Sequence, residues 1–458
     1  MKSLVKDLKK LLGKDKVKGD TEDLLAYASD ATNSYAKGKP DVIVLPTETA
    51  QVSKLIRYAV QNGVFVTPRG AGSGLSGSST PIQGGIVLDM KRMNHILEIN
   101  QGNLTAVSEC GVVLANFHRE VEKLNLFYPP DPQSMSVCTL GGNVATRAGG
   151  PHGIKYGTTP NYVLGLEVVL PDGDVIQTGS SCVKHSVGYD LTHLLTGSEG
   201  TLGVITKVTT RLIPKPETDR TIILVCKTPE QASEIVSAII AAGIVPAMLE
   251  YVAQRAILLF NQYIKPPMET EGEAYLFIKL DGLAVQIEAE TKKLKALCDK
   301  MNVVKTHVVT DKKEAASYWL ARSMSYPLAL VHMKKVIIED VVVPRDRLVE
   351  FFRAMNALSE KIGIPIGASG HAGDGNVHPS ILMPEVTEEN EQKAVQAIKE
   401  IIKTGLALGG CISGEHGIGL HKSQFIVDEL GQRQVDLFKA IKATFDPAGI
   451  MNPGKIWT

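Results

Sequence analysis

The spacing of apolar and polar positions changes several times along the chain. Residues 41–46, DVIVLP, are a short apolar run and predict a buried strand. Over residues 47–62 the apolar side chains fall at Val52, Leu55, Ile56, Ala59 and Val60, one face of a helix, and Gly63 supplies the stop. Residues 64–67 predict a second strand. A glycine-rich loop follows, PRGAGSGLSGSST. Then come the apolar runs GGIVLDM and AVSECGVVL, a helix, and a second glycine-rich stretch, DPQSMSVCTLGGNVATRAGG. Residues 161–180 predict a strand, a turn at PDGD and another strand, and GYDLTHLLTGSEGTLGVIT closes the region. Past Pro214 glycine thins out and strand–helix–strand units recur. TIILVC leads to a helix over 228–242 and then AMLEYV. AYLFIKL leads to a helix containing Ile287 and Leu294, then a strand at 303. Helix returns through Val395, Ile398, Ile401 and Ile402, and again over 435–445. This is an α+β pattern, and no tandem repeat or low-complexity segment breaks it.

Composition narrows the partners. A chain of 458 residues predicts two or three domains, and 44% hydrophobic residues with mean hydropathy +0.03 describe an ordinary globular core. Lys+Arg and Asp+Glu are both 49, so nothing points to nucleic acid or an anionic membrane. The six cysteines include no C-x-x-C pair, which argues against an iron–sulfur cluster held by this chain and fits a reducing, cytoplasmic location. The Lys-rich N-terminus predicts a surface helix. It lacks the apolar core of a secretory signal, and Asp7 and Asp15 argue against a transit peptide. The most apolar stretch, IVSAIIAAGIVPAML, is broken by Gly243 and Pro246 and predicts a buried helix then a strand, not a transmembrane segment.

Two features carry chemistry. GSGLSG formally matches G-x-G-x-x-G, yet SSTPIQG follows and another strand begins by Ile86. No room remains for the helical crossover of a dinucleotide fold, so a nicotinamide reading is rejected. The loop can still turn several backbone N–H groups on a pyrophosphate, with Arg69 adding charge beside it; a plain surface loop is the competing reading. Near the C-terminus stand GHAGDGNVHP and SGEHGIG. Asp374-Gly375 is a tight-turn dipeptide between apolar flanks. If these two form the loop, Gly373 faces Asn376, Ala372 faces Val377, and His371 faces His378. Opposed side chains sit about 4.5–5.5 Å apart at Cβ, a fitting bite for two imidazoles on one metal ion, although such a pair could also simply stack. Glu415 would complete a two-histidine, one-carboxylate set with open positions for substrate. His416, next in the chain, would act as a base.

Six ordered segments together resemble the FAD-linked 2-hydroxy-acid dehydrogenases: PRGAGSGLSG, DPQSMSVCTLGGNVATRAGG, GYDLTHLLTGSEGTLGVIT, GHAGDGNVHP, SGEHGIG and DPAGIMNPGKIW. That family includes D-lactate dehydrogenase, the glycolate oxidase FAD subunit and D-2-hydroxyglutarate dehydrogenase, flavoproteins of the vanillyl-alcohol-oxidase type. The resemblance implies an FAD-binding domain over 1–214 with the PCMH-type fold, a cap or substrate domain over 215–415, and a segment over 416–458 returning to the FAD domain. It implies flavin contacts from Arg69, Gly70, Ala71, Gly72, Ser73, Gly74, Leu75 and Ser76 in the loop. Asp131, Ser134, Thr139, Gly142 and Asn143 match the second stretch, Gly200 to Ile205 (with Val204 and Ile205 as contacts) the third, and Asn452 the tail. No histidine stands in or beside the loop, which implies non-covalent FAD.

The same resemblance makes His371, His378 and Glu415 the ligands of a divalent metal (Zn, Fe or Mn), His416 the catalytic base, and Arg322 the partner of the substrate carboxylate. On residues alone, Arg322 reads as a surface salt bridge. Members taking a dicarboxylate carry a lysine where VIIEDVVVP has Ile338, so a monocarboxylate is expected here. The expected reaction is oxidation of D-lactate to pyruvate, with glycolate or 2-hydroxyglutarate as alternatives. Electrons would pass to a quinone, an electron-transfer flavoprotein, an iron–sulfur subunit or oxygen, with a partner protein preferred. A competing reading is a non-catalytic FAD electron-transfer subunit; the intact base and ligand set argue against it.

Overall fold

The computed structural model describes residues 2–32 and 37–457, in two compact units. The first comprises Met1–Ala148, Thr158–Lys215 and Glu415–Thr458; the second comprises Gly149–Gly157 and Pro216–Gly414.

In the first unit one sheet runs in the order Val17–Lys18, Val42–Val44, Ile86–Asp89, Val66–Arg69. Ile86–Asp89 is parallel to both Val42–Val44 and Val66–Arg69. Parallel strands need a crossover, and the helix Thr49–Asn62 supplies it, burying Val52, Leu55, Ile56 and Ala59 and ending at Gly63 with φ 60°. The strand expected from residue 64 begins only at Val66, because the Val64 N–H is taken by the helix's Ala59 carbonyl at 2.9 Å. The free edge of Val66–Arg69 is covered by the chain's tail. Val66 N donates to Ile450 O at 2.9 Å, and Asn452 N donates to Val66 O at 2.8 Å. A second sheet is antiparallel: Ile96–Asn100, Thr105–Glu109, Val204–Arg211, Val163–Val169, Val175–Gly179. Residues 70–85 contain no helix, as the rejection of a nicotinamide loop requires.

The second unit is built on an eight-stranded antiparallel sheet. Its path is Lys305–Val309, Thr218–Cys226, Ala274–Gly282, Met248–Ala253, Ile366–His371, Asn376–Met383, Lys335–Ile338, with Val341–Val342 also pairing with Asn376–Met383. The strand–helix–strand units expected from the sequence are present. The helix Pro229–Ala241, capped by the Thr228 hydroxyl, joins Thr218–Cys226 to Met248–Ala253, and Ala284–Lys300 joins Ala274–Gly282 to Lys305–Val309. The apolar stretch around Gly243 is thus a helix end followed by a buried strand. No described helix is long and apolar enough to cross a membrane.

Candidate active site

The glycine loop leaves the strand Val66–Arg69 and is gripped from several sides. Arg69 is buried, and its guanidinium turns inward, donating to the carbonyls of Ser29 at 2.9 Å and Ser79 at 3.4 Å while lying 5.3 Å from the Tyr27 ring centre. It braces the loop from beneath. A Cβ on Gly72, whose φ is 71°, would come within 2.1 Å of that guanidinium, so the loop closes over Arg69 only with glycine there. Residues 71–75 are half-buried, and Ser76 is buried. Gly70 lies against Thr139, whose hydroxyl accepts from Gly142 N at 3.3 Å and caps the helix Leu140–Thr146 carrying Asn143. The first and second expected flavin stretches therefore meet in this unit. Asp131 and Ser134 are half-buried on the approach to that helix. Val204 and Ile205 are buried, with their backbones paired to Val169 and Val168.

The tail closes the loop's other side. Ser76 O accepts from Leu420 N at 2.8 Å, and Asn452 Nδ2 donates to Ser78 O at 2.9 Å and to Glu199 O at 2.6 Å. Glu199 is a buried carboxylate that the motif reading missed. It receives Ile418 N at 2.8 Å and Gly419 N at 2.9 Å, yet burial still pushes it up to about 7. Lys455, also missed, is buried with its ammonium on Thr80 O at 2.8 Å, and burial pulls it down to about 8. Ser76 Oγ and Asn452 Oδ1 are buried with no protein partner, and the Asn143 side chain meets the Cys138 thiol. Buried polar atoms are normally satisfied, so polar ligand groups fit the first two positions, one from the loop and one from the tail.

The second unit carries the histidine hairpin, and its turn differs from expectation. His371 pairs with Asn376, and Ser369 pairs with His378. The loop spans residues 372–375, not Asp374-Gly375 alone. A two-residue type I′ loop needs positive φ at both positions; Gly375 has φ 79°, but Asp374 is not among the positive-φ residues. His371 and His378 are consequently a diagonal pair rather than a directly opposed one. They still share a face, because Asn376 and His378 are two apart on one strand. Their rings meet edge to face, 5.2 Å between centres, and their nearest ligand atoms lie within 4.8 Å. Both side chains are buried.

The neighbouring strands place more chemistry on this face. Continuing the Tyr251–Gly370 register by one residue sets Glu250 across from His371. Glu250 is fully buried, with Oε1 at 2.7 Å from His371 Nδ1 and Oε2 at 2.6 Å from Arg322 Nη2. Burial pushes its carboxyl up, but His371 and Arg322 beside it outweigh that and hold it below the usual range. Arg322, from the helix Lys312–Ser323, is buried, which overturns its reading as a surface salt bridge; its Nε has no protein partner. On the other side, Asp340 is fully buried and accepts from Asn376 Nδ2 at 2.7 Å, Ser413 Oγ at 2.8 Å and Gly414 N at 2.9 Å, with His378 Nδ1 at 3.8 Å. Gly414 has no room for a Cβ against the Asn376 side chain. Glu415 and His416 follow in the next two positions, half-buried, with His416 Nε2 at 3.8 Å from Glu415 Oε1. Neither Glu250 nor Asp340 was singled out from the sequence. The available signal was a charge inside an apolar strand, in AMLEYV and VIIEDVVVP.

Two family models match the chain in succession. The model for the FAD binding domain matches residues 40–179, and the model for the C-terminal domain of FAD linked oxidases matches residues 215–456. Glycolate oxidase subunit GlcD of Bacillus subtilis is 41% identical over 434 residues, covering 94% of this chain and 92% of that one. D-lactate dehydrogenase of Archaeoglobus fulgidus is 36% identical over 418 residues, 91% of each chain. D-2-hydroxyglutarate dehydrogenase of Stutzerimonas stutzeri is 30% identical over 462 residues, 99% of each. Among solved structures, p-cresol methylhydroxylase superposes with TM-score 0.84 at 19% identity, covering 99% of this chain and 96% of that one. For 4-ethylphenol oxidase from Gulosibacter chungangensis the TM-score is 0.81 at 18% identity, covering 100% and 97%. At such identity the likeness is one of fold, the vanillyl-alcohol-oxidase type.

Proposed function

Because this chain belongs to the FAD-linked oxidases, we propose that it oxidises a small D-2-hydroxy acid, D-lactate foremost, to the 2-oxo acid. The observation that carries this reading is the buried row Arg322–Glu250–His371 beside His378. It sets a guanidinium suited to a carboxylate next to a pair of imidazoles suited to a metal.

Each residue has a role in the proposal. Arg322 grips the substrate carboxylate; a planar guanidinium suits that group, and its Nε is unsatisfied within the protein. His371, His378 and Glu415 would hold a divalent ion. Glu415 follows Gly414, whose amide is fixed on Asp340, so its Cα lies about 3.8 Å further along the chain. His371 fits ligation through Nε2, since its Nδ1 is held by a carboxylate, the usual arrangement behind a metal-bound imidazole. When bound, such an ion makes a coordinated hydroxyl more acidic. His416 takes the proton of the 2-hydroxyl. The glycine loop, the Thr139-capped helix and Asn452 would hold FAD, which when bound would supply the acceptor for the hydride from the 2-carbon. An acceptor outside this chain, an electron-transfer flavoprotein or an iron–sulfur subunit, would complete the reaction, since the cysteines have no cluster spacing.

Non-covalent FAD is part of this proposal. Acid precipitation is expected to release all the yellow colour into the supernatant; colour retained in the pellet would contradict it.

Substrate size is read from Ile338. It pairs with Ser380, two residues from His378, and so lies on the same sheet face as the histidines. An apolar side chain there cannot pair a second carboxylate. Under anaerobic conditions D-lactate or glycolate should reduce the flavin faster than D-2-hydroxyglutarate, and Ile338→Lys should narrow the gap. Faster reduction by the dicarboxylate would refute monocarboxylate selectivity.

A further inference from the structure

We propose that Glu250 is a positioning residue that serves the metal ligand and the substrate arginine at once, an inference that rests on the function proposed above. Its two oxygens are divided between two tasks. Oε1 meets His371 Nδ1 at 2.7 Å, and Oε2 meets Arg322 Nη2 at 2.6 Å. The carboxylate is fully buried, so no water competes for either contact.

The first task concerns the imidazole. At 2.7 Å the contact assigns a proton to His371 Nδ1, donated to Oε1, which turns the lone pair of Nε2 to the other side of the ring. That fixes tautomer and ring orientation together and makes the imidazole a stronger donor to a cation. The second task concerns the guanidinium. Arg322 is buried and its Nε has no protein partner, so Glu250 both balances the charge and holds the plane in which the remaining N–H groups are offered. Sheet register explains how one side chain reaches both. Glu250 stands across from His371 on the adjacent strand, and Arg322 comes from the helix Lys312–Ser323. A purely structural ion pair would need only Arg322. The bond to His371 is what assigns Glu250 to the site.

The test separates these roles by zinc affinity. Metal-free protein, with FAD bound, is titrated with Zn²⁺ against a chromophoric chelator. Wild type should bind one equivalent. Glu250→Gln keeps the shape but removes the charge, and should weaken zinc binding by roughly 10–100-fold. Because that variant leaves Arg322 buried without its counter-charge and can fold poorly, Arg322→Met and the double variant Glu250→Gln/Arg322→Met are measured as well. Arg322→Met should bind zinc like wild type. The double variant, with no buried charge left over, should remain as weak as Glu250→Gln. Recovery of wild-type affinity in the double variant would overturn the proposal, since Glu250 would then matter only as the counter-charge of Arg322. Equal affinity in all four proteins would likewise overturn it while leaving the metal site standing. A wild type that binds no zinc, manganese or iron would remove the metal site itself and the proposal with it.

Discussion

Replacing His378 by alanine is expected to remove the metal and substrate oxidation together while FAD stays bound. Its ligand atom belongs to a buried pair with His371, and Glu415 alone would remain to help a single imidazole. Two ligands hold a divalent ion poorly against water. The residues assigned to FAD all lie in the first unit, whereas His378 lies on a hairpin of the second, so flavin content should not follow metal content. Treatment of the wild type with a chelator should reproduce the variant, and added metal should rescue the chelated wild type but not the variant. Elemental analysis and the flavin spectrum of the same sample check this. Full metal occupancy in His378→Ala would invert the assignment of ligand and base.

Replacing His416 by alanine should have a different signature. Metal and FAD should both remain, and the rate of flavin reduction should fall by roughly 10²–10⁴, the usual cost of a lost general base. The half-buried His416 sits one residue beyond the proposed ligand, on a segment whose start is pinned by Asp340 through Ser413 and Gly414. Substrate affinity should change little, since Arg322 and the metal carry it in this account. Loss of metal from His416→Ala would show that the imidazole is a ligand.

Much of the scaffold could be read from residue spacing. The face Val52, Leu55, Ile56 and Ala59 is buried as the 3.6-residue period requires, and Gly63 ends that helix in the left-handed region. The strand–helix–strand units of the second unit followed from the same periodicity. The hairpin was legible as a hairpin but not in register. Asp374 does not take the positive φ that a two-residue loop demands, and the four-residue loop moves His378 opposite Ser369. What spacing could not supply was the pairing of side chains far apart in sequence. Glu250 meets Arg322 across 72 positions and His371 across 121. Asp340 meets Ser413 across 73. These contacts come from the order of strands in the sheet, which no local pattern contains. Only the cost of burying a carboxylate in AMLEYV hinted that a partner must exist.

Oxidation of a 2-hydroxy acid on this chain's own FAD, helped by a bound metal, can be watched directly in the flavin. The most direct measurement is the visible spectrum of the purified protein, kept anaerobic and mixed with D-lactate in the absence of any partner. The oxidised-flavin absorbance should disappear, a chelator should prevent this, and pyruvate should form in proportion to the flavin reduced. An unchanged spectrum with D-lactate, glycolate and D-2-hydroxyglutarate alike, in protein carrying full FAD and metal, would contradict it.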